Sequence, residues 1–300
     1  MFSTVGAVFL LLLVGYGAKR VGALKSSDVS VVNSLVVNLT GPAFIFAAIQ
    51  NRPLTIQMVR GPFIVFIMTM LIIPVAYLVA KMMKLDKRTT GGFILAAAFG
   101  NTGFLGYPVT IAAFPGHGQA LATAVMIDQF SMALPLYSLG VVIAASCSST
   151  RINWRHLFEF LKFPLFLSAI VAIALHNMHI PDVVIKSIQL LGMATVPLAM
   201  ISLGLSIKRS SLKSATLPSV AALILKMALL PILTYIGFRV VGAGGVIRNV
   251  SVLEASMPSA IMAGVIAGRY KANESFVAAA TFLMTLTSLI TIPIILHLLG

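Results

Sequence analysis

The chain has 300 residues, of which 59% are hydrophobic and only 9% charged, and its mean hydropathy is +1.04. Soluble domains carry about 25% charged residues, so these totals exclude a soluble globular protein and point to a polytopic, all-α membrane protein. The net charge of +14 does not indicate nucleic acid, because the basic residues sit in short loops between apolar runs rather than on one face of a soluble module.

A membrane-spanning helix needs about 20 apolar residues. Ten such runs follow in order at 4–23, 29–50, 59–81, 91–114, 119–147, 157–176, 183–206, 216–239, 246–268 and 275–299. No basic region precedes the first run, and Lys19 and Arg20 follow it. That pattern predicts a retained span with its N-terminus outside rather than a cleaved signal peptide. Fifteen of the 21 lysines and arginines then face inward, while Arg52, Arg60, Lys186, Arg239 and Arg248 face outward and Lys226 lies inside a span. This asymmetry predicts a plasma (inner) membrane protein with both termini outside. The single cysteine, Cys147, permits no intrachain disulfide and reads as a packing residue. A polar stretch at 148–155 is read as the cytoplasmic linker between a first five-helix repeat, 1–147, and a second, 156–300.

The prolines carry the repeat. Pro42 pairs with Pro197, Pro74 with Pro231, Pro108 with Pro258 and Pro135 with Pro293, at offsets of 155, 157, 150 and 158 residues. Proline is common in membrane helices, but four matched pairs favour duplication. Five spans is an odd number, so the second copy is inverted, the arrangement of secondary transporters that bind solute between repeats at mid-membrane.

Two spans should break. The fourth holds Gly100-Asn101-Thr102-Gly103-Phe104-Leu105-Gly106-Tyr107-Pro108 and the ninth holds Glu254-Ala255-Ser256-Met257-Pro258-Ser259. Proline removes a donor and clashes one turn back, and a break frees backbone groups that lipid cannot satisfy unless it lines a cavity. At 1.5 Å per residue, Asn101 lies about 15 Å from the inner end of its span and Glu254 about 12 Å from the outer end of its own. Asp128 and Lys226 fall at similar depth. Asn101 and Thr102 either bind solute or cap the second half-helix, whose free N–H groups suit a carboxylate. Glu254 is either a cation or proton site or a partner for freed backbone, since a carboxylate in hydrocarbon costs a few kcal/mol. Asp128, next to Gln129, is either a second coupling group or the partner of Lys226. Lys226 neutralises an acid or attracts an anion, because it is too deep to snorkel. Asn38 and Thr40 are expected only to relieve the kink at Pro42, and Gly264 and Gly268 to serve helix packing.

The run Gly100–Val109 resembles the fourth-helix signature of the auxin efflux carrier family, which includes plant auxin exporters and bacterial malate or malonate permeases. Met257-Pro258-Ser259-Ala260 followed by Ala267-Gly268-Arg269-Tyr270 is similar to its second signature, and Gly17-Ala18-Lys19-Arg20 with Asn38 to Pro42 fits its N-terminal pattern. The resemblance covers essentially the whole chain. It implies ten helices in a 5+5 inverted repeat whose fourth and ninth helices cross at their breaks, as in bile-acid sodium symporters and sodium/proton antiporters. It implies Asn101 as a substrate ligand and Pro108 and Pro258 as marks of the crossover. Plant members typically carry glutamine where this chain has Glu254, and bile-acid symporters carry a sodium-binding glutamate nearby. That departure favours proton or sodium coupling here.

The expected function is a secondary transporter for a small organic anion, a carboxylate, working by alternating access. Substrate is expected at Asn101, Thr102, Gly103, Tyr107, Ser256 and Ser259, and the breaks at Gly100, Gly106, Pro108 and Pro258. Coupling is expected at Glu254, Asp128, Gln129 and Lys226, with a sodium ion near Glu254 and Asn101 or a proton in its place and no other cofactor. The expected partners are the organic anion, the bilayer and, in a homodimer, a second copy, with no nucleic acid. The alternatives are an uncoupled exporter or uniporter, and a transporter-like sensor without flux. A channel is disfavoured because Val14-Gly15-Tyr16-Gly17, the letters of a potassium filter, lies inside the first span rather than in a re-entrant loop. An enzyme is disfavoured because no H-E-x-x-H or G-x-S-x-G occurs, and His117, His156, His176, His179 and His297 fall in loops or near span ends.

Overall fold

The computed structural model describes residues 2–50, 56–148, 158, 160–176, 178–207 and 216–299. Most of these residues are helical, and among them no strand forms beyond one isolated bridge. The helices are α1 (Phe2–Arg20), α2 (Ser26–Ile49), α3 (Ile56–Met82), α4 (Lys87–Ala98), α5 (Tyr107–Ala113), α6 (Gly118–Ser146), α7 (Pro164–Ala174), α8 (Asp182–Ser206), α9 (Leu217–Val240), α10 (Gly245–Ala255), α11 (Ile261–Arg269) and α12 (Glu274–Leu299). Of these, α2, α3, α6, α8, α9 and α12 are long and apolar enough to cross a membrane, so the protein is a multi-pass membrane protein. Arg52, Arg151, Arg155, His156, Lys208, Arg209 and Lys213, and all of the 148–155 linker except Ser148, lie outside the described residues.

The runs expected at 91–114 and 246–268 are each two short arms. With 12 residues, α4 spans about 18 Å, and α10, with 11 residues, about 16 Å. Both are far short of the roughly 30 Å hydrocarbon thickness. Pro62, Pro74 and Pro293 lie inside helices that continue through them. A π-helical turn closes two residues before Pro42, Pro108, Pro135 and Pro231, at Val36–Thr40, Thr102–Gly106, Ile127–Ala133 and Leu225–Leu229. The wider turn accommodates the ring and the missing donor, and such bulges recur at functional sites.

At the centre lies α4, buried at every residue from Thr90 to Ala98 and packed by α3, α9, α11, α12 and the end of α6. Asp86 caps it, its carboxylate accepting from the Arg88 and Thr89 amides at 3.0 and 3.1 Å. The bonds to Thr89, its side chain first, hold the Asp86 carboxyl below its ordinary range. Cys147 packs on this helix: a Cβ at Gly91 would meet the cysteine Cβ at 2.9 Å. On one flank α1 lies backbone to backbone along α8. A Cβ at Gly15 would fall 2.3 Å from the Ile201 carbonyl oxygen, and one at Gly204 would fall 2.1 Å from that of Leu12. Val14–Gly17 therefore sits in an unbroken helix, and Gly15 serves helix packing. The Lys19 ammonium closes this pair by donating to the Leu205 and Ile207 carbonyls at 2.9 and 2.8 Å.

Candidate functional site

Where α4 and α10 end, the chain runs briefly extended and the two breaks pair. Gly100 bridges antiparallel to Ser259. The Asn101 amide donates to the Pro258 carbonyl at 2.7 Å, and the Ala260 amide to that of Phe99 at 2.9 Å. Backbone groups freed by one break satisfy those freed by the other, as hydrocarbon requires. The first break is narrower than Gly100–Pro108. Only Phe99–Asn101 leaves the helix; Gly106 closes a π-turn and Pro108 sits in the first turn of α5, where its missing donor costs nothing. Pro258, by contrast, lies within the second break.

The three glycines recur at every third residue because each faces a buried ionisable side chain. A Cβ at Gly100 would lie 3.0 Å from both Cε and Nζ of Lys226, and one at Gly103 3.3 Å from Asp128 Oδ2. At Gly106 it would fall 2.1 Å from Glu254 Oε2. Three charged side chains from three other helices therefore lie against one glycine rail.

Each charged group has its own partners. Asp128 accepts from the Thr102 hydroxyl, from the Tyr107 hydroxyl at 2.6 Å and from Gln129 Nε2 at 2.7 Å. Glu254 Oε1 accepts from the Thr110 hydroxyl at 2.8 Å, and its Oε2 is buried without a hydrogen-bond partner. Lys226, fully buried, donates to the Ala255 carbonyl at 2.6 Å. The hydrogen bonds of Asp128 and Lys226 thus go to different partners, not to each other.

A cavity of about 90 Å³ opens beside the paired breaks, room for several waters or a small solute. Asn101, Thr102, Gly103, Tyr107, Asp128 and Gln129 line it together with an aromatic wall of Tyr137, Phe160, Phe163 and Phe166, and no Lys or Arg does so among the described residues. Asn101 is buried and its Nδ2 has no partner. The same holds for the Thr195 hydroxyl of α8, which also lines the cavity. Sequence reasoning passed over Thr195, although it stands two residues before Pro197 as Thr40 does before Pro42. Ser256, Ser259, Glu254 and Lys226 are not among the lining residues. Ser256 instead donates to the Leu253 carbonyl at 2.6 Å, securing the end of α10, and the Ser259 hydroxyl is buried without a partner behind the backbone bridge. Asn38 donates to Ser34 on an exposed face, away from the cavity.

The family described as membrane transport protein matches residues 1–296 of the chain. An uncharacterized transporter of Methanocaldococcus jannaschii is 32% identical, with 96% of this chain and 95% of the relative aligned. An uncharacterized transporter of Methanothermobacter thermautotrophicus is 34% identical over 97% of this chain and 96% of its own. A Rhizobium meliloti protein named "Putative malonate transporter" is 26% identical over 97% and 93%.

Proposed function

The chain belongs to the auxin efflux carrier family of membrane transport proteins, and on that premise we propose that it is a secondary transporter for a small organic anion, a dicarboxylate of about malonate size, coupled to a cation. The observation that carries this reading is the buried Asn101 side chain, whose Nδ2 has no partner, on the wall of a cavity beside two paired helix breaks. Asn101 Nδ2 and the Thr195 hydroxyl are donors left open for carboxylate oxygens. The relative named for malonate supports the substrate class.

Among the described residues that line the cavity, the one ionisable acid or base is Asp128. An anion entering beside a carboxylate in a low-dielectric site is repelled unless a cation or proton accompanies it. This favours cotransport over uncoupled export. Glu254, with one oxygen unpartnered behind Gly106, is the second candidate for the coupling proton. The pairing of the two breaks and the matched prolines support a ten-helix inverted repeat, 1–147 and 156–300, whose interrupted helices cross at mid-membrane. In this reading the termini face outward from the plasma membrane. The body carrying the crossover moves against a scaffold that includes α1 and α8, and access alternates across it.

Uptake of labelled malonate into proteoliposomes, driven by a proton or sodium gradient, tests the proposal. Losing a hydrogen bond to a charged group costs about 1.5–3 kcal/mol, or roughly 10- to 150-fold. Uptake should fall by that factor in Asn101→Ala and in Thr195→Ala, and Glu254→Gln should abolish its response to the gradient. Wild-type transport in both Asn101→Ala and Glu254→Gln would overturn the site.

A further inference from the structure

The cavity beside the paired breaks has a larger neighbour. The bridge between the breaks is antiparallel, so α5 and α11 leave it in opposite directions. Along α5 the space is filled: Val109 and Ala112 share one buried apolar cluster with Val8 and Leu12 of α1 and Met200 of α8. Along α11 it is not. A cleft of about 630 Å³ separates α11 and α12 from the start of α2 and the end of α8. Ser26, Ser30, Asn33, Ser206, Thr281 and Thr285 give it a polar lining, with Glu274 as the charged group among the lining residues. Ser26, Ser30 and Glu274 are exposed. The cleft therefore opens to solvent, at the end of the molecule where Lys19, Arg20 and Arg269 close their helices.

Two residues, Ile261 and Met262, line both this cleft and the cavity of about 90 Å³. They make the first turn of α11, and both are half-buried. The backbone there is fixed at the seam, since the Ala260 amide donates to the Phe99 carbonyl at 2.9 Å. Side chains alone therefore divide the two chambers, and the two differ in freedom. Isoleucine in a helix keeps one strongly preferred χ1 rotamer. Methionine is unbranched, with three rotatable bonds.

We propose that the cleft is the vestibule through which a small polar carboxylate reaches the cavity, and that Met262 is the movable leaf of the neck between them, the residue that sets how large a solute passes. Ile261 is the fixed edge of that neck. Both chambers offer hydroxyl and amide groups, whereas the neck is apolar, so bulk at Met262 is the barrier that a solute meets. The inference rests on the reading of the cavity as the solute site.

Thiol labelling of the purified full chain in nanodiscs, which expose both faces, tests this without a substrate. The background is Cys147→Ala and the reagent is ethyltrimethylammonium methanethiosulfonate. Ser30→Cys reports on the cleft, and Ala199→Cys, buried on the cavity wall, reports on the cavity. Ser30→Cys should react quickly and Ala199→Cys slowly. Adding Met262→Ala should speed Ala199→Cys about tenfold or more, the change that follows from lowering a barrier by about 1.4 kcal/mol. Met262→Leu, which conserves volume, should leave it slow, and neither change should alter Ser30→Cys. Equal rates at the two reporters in the parent, or an Ala199→Cys rate that Met262→Ala does not raise, would overturn the proposal. If Met262→Ala fails to fold, Met262→Phe narrows the neck and should slow Ala199→Cys further; an unchanged rate there counts equally against it. Failure of malonate uptake would refute the substrate reading and leave these labelling rates unchanged.

Discussion

Gly106→Ala should be among the most damaging single-methyl additions in the molecule, and the reason can be isolated. The new Cβ would fall 2.1 Å from Glu254 Oε2, 2.8 Å from Cδ and 2.9 Å from Oε1. The carboxylate must retreat by more than an ångström, with Leu253 and Ala255 beside it fully buried. Overpacking of this kind costs about 1–3 kcal/mol. Displacement also loses the 2.8 Å bond from Thr110, worth about 1.5–3 kcal/mol to a charged acceptor. A total near 3 kcal/mol or more corresponds to a fall of roughly 6–12 °C in Tm, at about 2–4 °C per kcal/mol. In a Glu254→Ala background the same methyl meets no carboxylate, and alanine is preferred over glycine in a helix by up to about 1 kcal/mol. Gly106→Ala should therefore be neutral or stabilising there, while Glu254→Gln, which keeps the bulk, should not relieve the clash. Scanning calorimetry of the four proteins of the Gly106/Glu254 cycle gives the coupling energy. Additivity within about 0.5 kcal/mol would show that Gly106 and Glu254 are not in contact and would refute the glycine rail.

Two other regions give independent tests. Asp86→Ala should cost about 1 kcal/mol at neutral pH and Asp86→Asn little, since both Asp and Asn cap well. The Asp86 carboxyl is held below its ordinary 3.8, so its contribution is complete above that value and is lost as pH falls through the lower folded value. The gap in Tm between wild type and Asp86→Ala should close below about pH 4, and a constant gap down to pH 2 would refute the cap. Gly204→Ala, with a Cβ 2.1 Å from the Leu12 carbonyl, should force α1 off α8 at about 1–3 kcal/mol or more. Gly17→Ala, with nothing within 4 Å, should be neutral or slightly stabilising, and equal Tm values for the two variants would refute the contact.

The two interruptions were legible because glycine and proline act locally. Phe99–Asn101 and Ser256–Ala260 fall where backbone chemistry forbids a continuous helix, and the depth count brought Asn101, Asp128, Lys226 and Glu254 to one level. Their partners were not legible, because partners depend on how helices rotate against one another. Nothing in the string says that Gly100, Gly103 and Gly106 face Lys226, Asp128 and Glu254 respectively. Nor does it say that Asp128 takes its bonds from Thr102, Tyr107 and Gln129. Ser256 looked like a ligand because a hydroxyl beside a break suits either solute or helix end; its bond to the Leu253 carbonyl decides for the helix end. Thr195 was hidden among apolar neighbours, and its only local trace was a threonine–proline spacing shared with Thr40 and Pro42.

The joint between the two breaks has a mechanical consequence. One hydrogen bond is a pivot, free to swivel about its axis. The bonds from Asn101 to Pro258 and from Ala260 to Phe99 lie side by side with opposite sense, and a double fastening resists torsion as well as separation. A push on α11 therefore turns α4 with it instead of being dissipated at the junction. Because both bonds are made by main-chain atoms, side chains along this seam can be exchanged for others of similar size without slackening it.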